Sequence, residues 1–308
     1  MIVGGSGEAL MKTLRECRRL GLRYVLSVPH DPGRLKVYLD DLRRRAPSAG
    51  LGQGWEGDLA FYVNDEPELR SVPVNLAEDL QTLVKGAFPG AATCMAVVRP
   101  ARCRDYLRAS DFFMMDQYPF PILPMTWLAD SLDKAASIAG RDRLLSVIQA
   151  FHEGEVWPEL PGWRQIDCLA MLSIVHGSRG IFFYTYSDIG KTEKGRRRLG
   201  RVIGRLNALY PWLLERNLPS APGVEMLSED RVDPKGRPAV HAALKRRGKE
   251  TLMIAVNTIG ATVRAALVFP DRRNGTAREV FSGVVYPIVD GRLVADFLAY
   301  ETLAFINN

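Results

Sequence analysis

The chain of 308 residues has little of what would cross-link it, hold a metal or anchor it in a membrane. Its four cysteines form no CxxC or Cys/His ligand pattern, so we expect free thiols. The four histidines form no HxH or HExxH pair, and we expect neither a metal site nor a cofactor. No apolar run approaches the ~18 residues that span a bilayer, and no signal peptide is recognisable at the N-terminus. The sequence predicts a soluble protein without a membrane partner, in an undetermined compartment.

Acidic residues are outnumbered, with 35 Asp and Glu against 41 Lys and Arg, a net charge of +6. Two arginine runs, 43–45 and 196–198, lie in predicted helices whose apolar positions fall on the opposite face. Because no nucleic-acid-binding motif accompanies the charge, we interpret these runs as solvated helix faces and expect no nucleic-acid partner. The remaining composition is that of an ordinary globular protein, which excludes disordered and collagen-like chains.

Short apolar runs alternate with amphipathic helical patterns up to about residue 215. The predicted strands are 1–3, 23–28, 59–63, 93–98, 112–116, 144–151 and 181–186. Nearly continuous apolar strands separated by helices indicate a parallel sheet covered by helices, and the repeated βα unit favours a TIM-type barrel. An open doubly wound sheet is the alternative, but no GxGxxG phosphate loop follows an early strand.

The periodicity changes after a predicted long helix at 191–215. Residues 217–223 are rich in proline and glycine and read as a linker. Short strands bounded by turn residues follow it, at 239–245, 251–257, 262–269, 278–281, 284–289, 293–298 and 301–306. The sequence therefore predicts an α/β barrel domain at 1–216 and a small all-β sandwich domain at 217–308.

Functional side chains of a βα barrel lie at the C-terminal ends of its strands and in the loops that follow. The polar and aromatic candidates at those places are Asn64, Asp65, Glu66, Asp116, Tyr118, Gln149, Glu153, Glu155, Trp157, Tyr184 and Tyr186. The acidic residues have other interpretations, since Asp and Glu also favour the first turn of a helix and the cap of a strand. The aromatic residues suit stacking on the faces of sugar rings.

Four short motifs carry a resemblance to a known family: YVNDEPEL at 62–69, DQYP at 116–119, QAF at 149–151 and HGSRGIFFY at 176–184. In their order and spacing the chain resembles the (β/α)8-barrel glycoside hydrolases of clan A. More closely, it resembles bacterial glycoside-hydrolase-like proteins with an Asp-Glu-Pro motif. The resemblance implies carbohydrate as the partner and a C-terminal β-sandwich.

By this resemblance, Glu66 matches the acid/base glutamate, and Asp65 occupies the place where the clan usually has asparagine. Gln149 stands where the nucleophilic glutamate is expected, and an amide cannot act as that nucleophile. Asp116, Glu153 or Glu155 are the candidates for the second carboxylate, and we select Asp116. Residues expected to bind substrate are Asn64, Asp65, Tyr118, Gln149, Trp157, Tyr184 and Tyr186.

The resemblance makes the run at 59–63 the fourth barrel strand, so strand one has no residues in this chain. We therefore expect a barrel without its first βα unit, whose exposed strand edge offers a route to oligomers. Two functions follow: hydrolysis of glycosidic bonds with Glu66 as general acid, or non-catalytic carbohydrate binding on a degenerate hydrolase barrel.

Overall fold

The computed structural model describes residues 2–49, 60–228, 232–270 and 274–307. The chain divides into two compact units, Met1–Asp116 with Lys134–Leu145, and Gln117–Asp133 with Ser146–Asn308. The starts of two predicted strands, at Met1 and Leu59, lie outside the described residues. The predicted domain boundary between residues 216 and 217 stays a prediction.

All seven predicted barrel strands are present as one sheet, in the order β1-β2-β3-β4-β5-β6-β7. Their bounds are β1 Ile2–Val3, β2 Val25–Ser27, β3 Ala60–Asp65, β4 Ala92–Val97, β5 Phe112–Asp116, β6 Leu144–Gln149 and β7 Ile181–Tyr184. The pairing is parallel, as the apolar runs predict. Within the described residues the sheet has one strand fewer than the eight of a complete barrel.

Amphipathic helices follow the strands. The helices are α1 Gly7–Arg19, α2 Pro32–Arg45, α3 Val74–Ala87, α4 Thr126–Ala139, α5 Trp163–Val175, α6 Tyr186–Ile189 and α7 Glu193–Leu213. Helix α2 begins where Asp31 accepts a hydrogen bond from the Arg34 amide at 2.8 Å, with Pro32 in the first turn. Among these described helices, none combines the length and apolar composition that a bilayer span requires.

The arginine-rich helix α7 contacts its own unit through polar side chains as well as through its apolar face. Arg197 pairs with Glu193 at 2.8 Å on the exposed face, as a solvated helix face predicts. Arg205, one turn or more further along α7, binds the buried Asp167 of α5 at 2.9 Å and the carbonyl of Thr302. A buried carboxylate requires a cationic partner, and Arg205 provides it for Asp167.

The C-terminal strands form a five-stranded sheet, β13-β12-β15-β10-β9, and a three-stranded sheet, β14-β11-β8. The strands are β8 Gly223–Met226, β9 Val240–Arg247, β10 Glu250–Asn257, β11 Val263–Val268, β12 Gly275–Glu279, β13 Val285–Ile288, β14 Arg292–Phe297 and β15 Thr302–Asn307. Apolar residues from both sheets form one core, including Met253, Leu267, Phe297 and Phe305. This arrangement agrees with the predicted all-β part of the chain.

The predicted linker at 217–223 is wrong in part, because both of its ends are paired with strands. The amide of Leu218 donates to the carbonyl of Leu244 at 2.7 Å. Strand β8, absent from the sequence prediction, starts at Gly223 and pairs with β11, Val224 facing Leu267. A proline- and glycine-rich composition does not exclude pairing at the edge of a sheet.

A chain of polar contacts links Asp133, His176, His241 and Asp233 in the second unit. His176 Nδ1 lies 3.0 Å from Asp133, and His176 Nε2 lies 2.9 Å from His241 Nδ1. His241 Nε2 is 3.4 Å from Asp233, which also pairs with the Arg237 side chain at 2.6 Å. Burial, followed by the nearby His176 and Arg237, lowers the pKa of His241 to about 4. His241 is therefore neutral at physiological pH.

Candidate active site

The two predicted catalytic carboxyls lie at the C-terminal ends of strands in the first unit. Glu66 directly follows β3, and Asp116 is the last residue of β5, with β4 paired between the two strands. Glu66 has a φ of 49°, in the left-handed region that a non-glycine residue seldom adopts. Such backbone strain, which costs about 1–3 kcal/mol, clusters at functional sites.

Asp116 and Glu66 contact each other directly. Asp116 is only 5% exposed, and its carboxyl is hydrogen-bonded to the side chain of Glu66. Burial is the largest cause that raises the pKa of Asp116 to about 9, and the hydrogen bond and charge of Glu66 add to it. Two carboxylates at hydrogen-bond distance cannot both be ionised at low cost, so the pair retains a proton at neutral pH.

Asp65, beside Glu66, is bound by neighbouring side chains. The hydroxyl of Tyr62 donates to one of its oxygens, and Arg70 forms an ion pair with the other. Burial, with Asp65 next, raises the pKa of Tyr62 well above its ordinary value. Tyr62 therefore stays a hydrogen-bond donor. Together, Tyr62 and Arg70 hold the Asp65 carboxylate in one orientation.

Asn64 is the most unusual of the predicted binding residues. Its side chain is 1% exposed, and neither its oxygen nor its nitrogen has a hydrogen-bond partner within the described residues. Strand β3 has a register shift here, between Tyr62 and Asn64. A buried carboxamide without a partner costs free energy, and such groups require an explanation such as a ligand or a water.

The aromatic candidates of the second unit form a cluster around Phe151. Tyr118 and Tyr184 are nearly parallel, with ring centroids 6.0 Å apart and an interplanar angle of 22°. Phe151 meets them edge-on at 5.0 and 5.4 Å, and Trp157 lies 5.3 Å from Phe151. The Trp157 Nε1–H also donates to the carbonyl of Tyr118 at 3.0 Å. The cluster is thus packed and hydrogen-bonded rather than loosely gathered.

Two predicted stacking residues are open to solvent. Tyr184 is 50% exposed and presents part of its ring. Tyr186, at the start of α6, is 64% exposed and is not part of the cluster among the residues that the structure describes. Glu153 and Glu155, the other candidate carboxylates, are exposed on the loop before Trp157. Neither is desolvated as Asp116 is.

Gln149 does not present a free amide. It is fully buried at the end of β6, where its Nε2–H donates to the carbonyl of Phe120 at 2.7 Å. Its Oε1 accepts from the amide of Phe120 at 3.1 Å. Both ends of the side chain are therefore engaged with one backbone residue.

Each unit thus brings together part of the predicted site. In the first unit lie Asn64, Asp65, Glu66 and Asp116, and in the second Tyr118, Gln149, Trp157 and Tyr184. Sequence reasoning missed Tyr62, Arg70 and Phe151 as site residues. Tyr62 and Phe151 stand inside the motifs that carry the resemblance, which was the available signal; an exposed arginine such as Arg70 offered none.

Comparison with family models gives no match, and comparison with curated proteins gives none. Solved structures do match. An Anoxybacillus alpha-amylase superposes with a TM-score of 0.58 at 12% identity, covering 98% of this chain and 79% of that chain. The alpha-galactosidase I of Mortierella vinacea gives 0.58 at 8%, covering 99% and 86%. A GH30 endoxylanase of Clostridium papyrosolvens gives 0.57 at 12%, covering 97% and 82%.

These likenesses extend over nearly the whole chain. Together with the seven-stranded parallel sheet and the C-terminal antiparallel sheets, they show that the chain shares the barrel type of fold of these enzymes. At 8–12% identity, the likeness concerns the fold.

Proposed function

We propose that the chain is a carbohydrate-active hydrolase in which Glu66 and Asp116 work as a pair that shares one proton. The observation that carries the proposal is the buried Asp116 carboxyl hydrogen-bonded to Glu66 at the C-terminal ends of two barrel strands. The glycoside hydrolase fold of the structural neighbours supports carbohydrate as the substrate class.

The resemblance assigns the acid role to Glu66, but the electrostatics favour Asp116 as the group that holds the proton. Burial and the adjacent Glu66 raise the pKa of Asp116 to about 9. A carboxylic acid kept neutral in this way at pH 7 is suited to protonate a glycosidic oxygen. Glu66 is then assigned the role of the base that accepts a proton from water.

The proposed reaction balances without a further group. The bond from the anomeric carbon to the glycosidic oxygen breaks, and that oxygen takes the bond's electron pair and the proton of Asp116. In the same step a water attacks the anomeric carbon as one of its protons passes to Glu66, so the two carboxyls are never both ionised. The proton returns from Glu66 to Asp116 across their contact, which restores the starting state.

A second candidate function is non-catalytic carbohydrate binding. Retaining and inverting glycosidases separate their carboxyl groups by about 5–5.5 Å and about 6.5–9.5 Å. A direct hydrogen bond between carboxyls is shorter than either separation, which favours a binding pair. The aromatic cluster around Phe151 suits either function, because aromatic rings pack on apolar sugar faces.

The test is a panel of nitrophenyl α- and β-glycosides of glucose, galactose, xylose and arabinose, together with starch and xylan. The account expects cleavage of at least one substrate by the wild type. It also expects a 10²- to 10⁴-fold loss in Asp116→Asn and in Glu66→Gln. Asp79→Asn, which alters an exposed carboxylate on α3, is the matched control and should keep full activity. Full activity in Asp116→Asn would overturn the acid assignment.

Binding is measured on the same variants by the shift in Tm with maltose, arabinose or xylotriose. A wild type that cleaves nothing on the panel but is stabilised by one of these sugars identifies the binding function. Neither cleavage nor stabilisation by any of them would contradict both functions.

A further inference from the structure

The side chain of Gln149 makes two hydrogen bonds with the backbone of Phe120. Its Nε2–H donates to the Phe120 carbonyl, and its Oε1 accepts from the Phe120 amide. The two hydrogen bonds, 2.7 and 3.1 Å long, close a ring between the carboxamide and a single residue. A primary carboxamide provides both a donor and an acceptor, and an ionised carboxylate provides acceptors alone. At this buried position, glutamine and ionised glutamate are therefore not interchangeable.

Phe120 belongs to the loop that follows β5, and this loop also carries Tyr118. A second side chain holds the same loop, because Trp157 donates to the carbonyl of Tyr118 at 3.0 Å. The ring of Tyr118 in turn packs against Phe151 and Tyr184. The position of the aromatic cluster thus depends on backbone atoms that Gln149 and Trp157 fix.

We propose that Gln149 is a positioning residue that fixes the Tyr118–Phe120 loop, and thereby the aromatic cluster, through its paired hydrogen bonds. The side chain at position 149 is then required for these backbone hydrogen bonds. A glutamate introduced there would not act as a nucleophile. The inference does not rest on the proposed hydrolase activity, since its main readouts require no substrate.

The variant Gln149→Glu distinguishes two hypotheses. In the first, Gln149 positions the loop; in the second, which we call a vacated nucleophile position, glutamine merely stands where a nucleophilic glutamate would act. A protonated glutamic acid reproduces the amide pattern, since its O–H donates to the Phe120 carbonyl and its C=O accepts from the Phe120 amide. The ionised form has no donor, so it places a carboxylate oxygen against the Phe120 carbonyl oxygen and loses the hydrogen bond to that carbonyl. Burial raises the pKa of the new carboxyl above the ~4.3 of an exposed glutamate. The loop in the variant should therefore be fixed at low pH and released at high pH.

The experiment measures near-UV circular dichroism and Tm from pH 4.5 to 8 for wild type, Gln149→Glu and Gln149→Met. Relative to wild type at the same pH, Gln149→Glu should lose aromatic dichroism and about 4 °C or more of Tm between pH 4.5 and 8. Gln149→Met has no titratable group, so its deficit should be the same at both pH values. That contrast distinguishes a hydrogen-bonding role from simple packing.

The result that overturns the proposal is a Gln149→Glu variant whose dichroism and Tm follow wild type at pH 8. A gain of glycoside hydrolysis in Gln149→Glu at that pH also overturns it, because a vacated nucleophile position predicts that gain. If the variant is unfolded at pH 8, the proposal requires that it fold at pH 4.5. Failure at both pH values while Gln149→Met folds contradicts it. Loss of hydrolysis in Asp116→Asn, by contrast, bears on the proposed function alone.

Discussion

The carboxyl of Asp116 is hydrogen-bonded to that of Glu66, although 49 residues separate them in the chain. Because Asp116 is buried and Glu66 is another acid, the pair keeps a proton that an isolated carboxyl would lose near pH 4. The strained φ of Glu66 and the unpartnered amide of Asn64 lie in the same short segment. A folded chain retains such unfavourable features mainly where function requires them.

Asp116 should make the stability of the protein fall as the pH rises. Its folded-state pKa is raised to about 9, so its contribution is fully present below the unfolded pKa near 4 and is lost as the pH rises to about 9. In Asp116→Asn the amide does not titrate. We expect the variant to gain stability relative to wild type by at most about 1.4 kcal/mol per pH unit in this window. Urea unfolding at pH 5, 7 and 8.5 measures the difference.

Asp79→Asn is the control for that series, since Asp79 is exposed on α3. Its stability difference from wild type should be the same at the three pH values. A constant difference for Asp116→Asn as well would contradict the raised pKa.

Tyr62→Phe should destabilise the protein more than Arg70→Met does. Tyr62 is partly buried and donates to Asp65, so its loss removes a charge-assisted hydrogen bond worth about 1.5–3 kcal/mol. The Arg70 side chain is 57% exposed, and an exposed ion pair contributes at most about 1 kcal/mol. The midpoints of urea unfolding at pH 7 give the order, and the opposite order would show that Arg70 is the principal partner of Asp65.

His241 should make stability fall as the medium is acidified. Its folded-state pKa is lowered to about 4 by burial and by His176 and Arg237, so its contribution is present above pH ~6.5 and lost as the pH falls towards 4. Asp233, the carboxylate beside it, opposes this shift without cancelling it. His241→Gln, which does not titrate, should recover roughly 2 kcal/mol relative to wild type between pH 7.5 and 4.5. Parallel stability curves for the two proteins would contradict the prediction.

Tyr184→Ala should weaken saccharide binding if the cluster around Phe151 contacts sugar. One aromatic contact contributes about 0.5–1.5 kcal/mol, so the Kd for a sugar that stabilises the wild type should rise roughly 2- to 12-fold. Tyr210→Ala, an equally large truncation on the exposed face of α7, is the matched control. Calorimetric titration with maltose, arabinose or xylotriose measures both. An equal loss in the two variants would remove the cluster from the binding site.

The sequence predicted the features that follow from a local pattern of residues, such as the strands and the acidic residues at their ends. Apolar runs predicted the seven parallel strands, and the acids that end two of them, Glu66 and Asp116, are in contact in the structure. It was not sufficient for partners distant in the chain. Nothing around Gln149 indicates a double hydrogen bond to Phe120, 29 residues away. Likewise β8 was missed, because its four residues become a strand only when β11 provides the pairing edge.

The central claim is that Asp116 holds a proton at neutral pH, and carbon-13 NMR of aspartate labelled at the side-chain carboxyl tests it directly. The account predicts one signal, absent in Asp116→Asn, that is protonated at pH 7 and titrates near pH 9. In Glu66→Gln that signal should titrate at lower pH but still above 4, because burial persists. An Asp116 signal that titrates near pH 4 in the wild type would contradict the account.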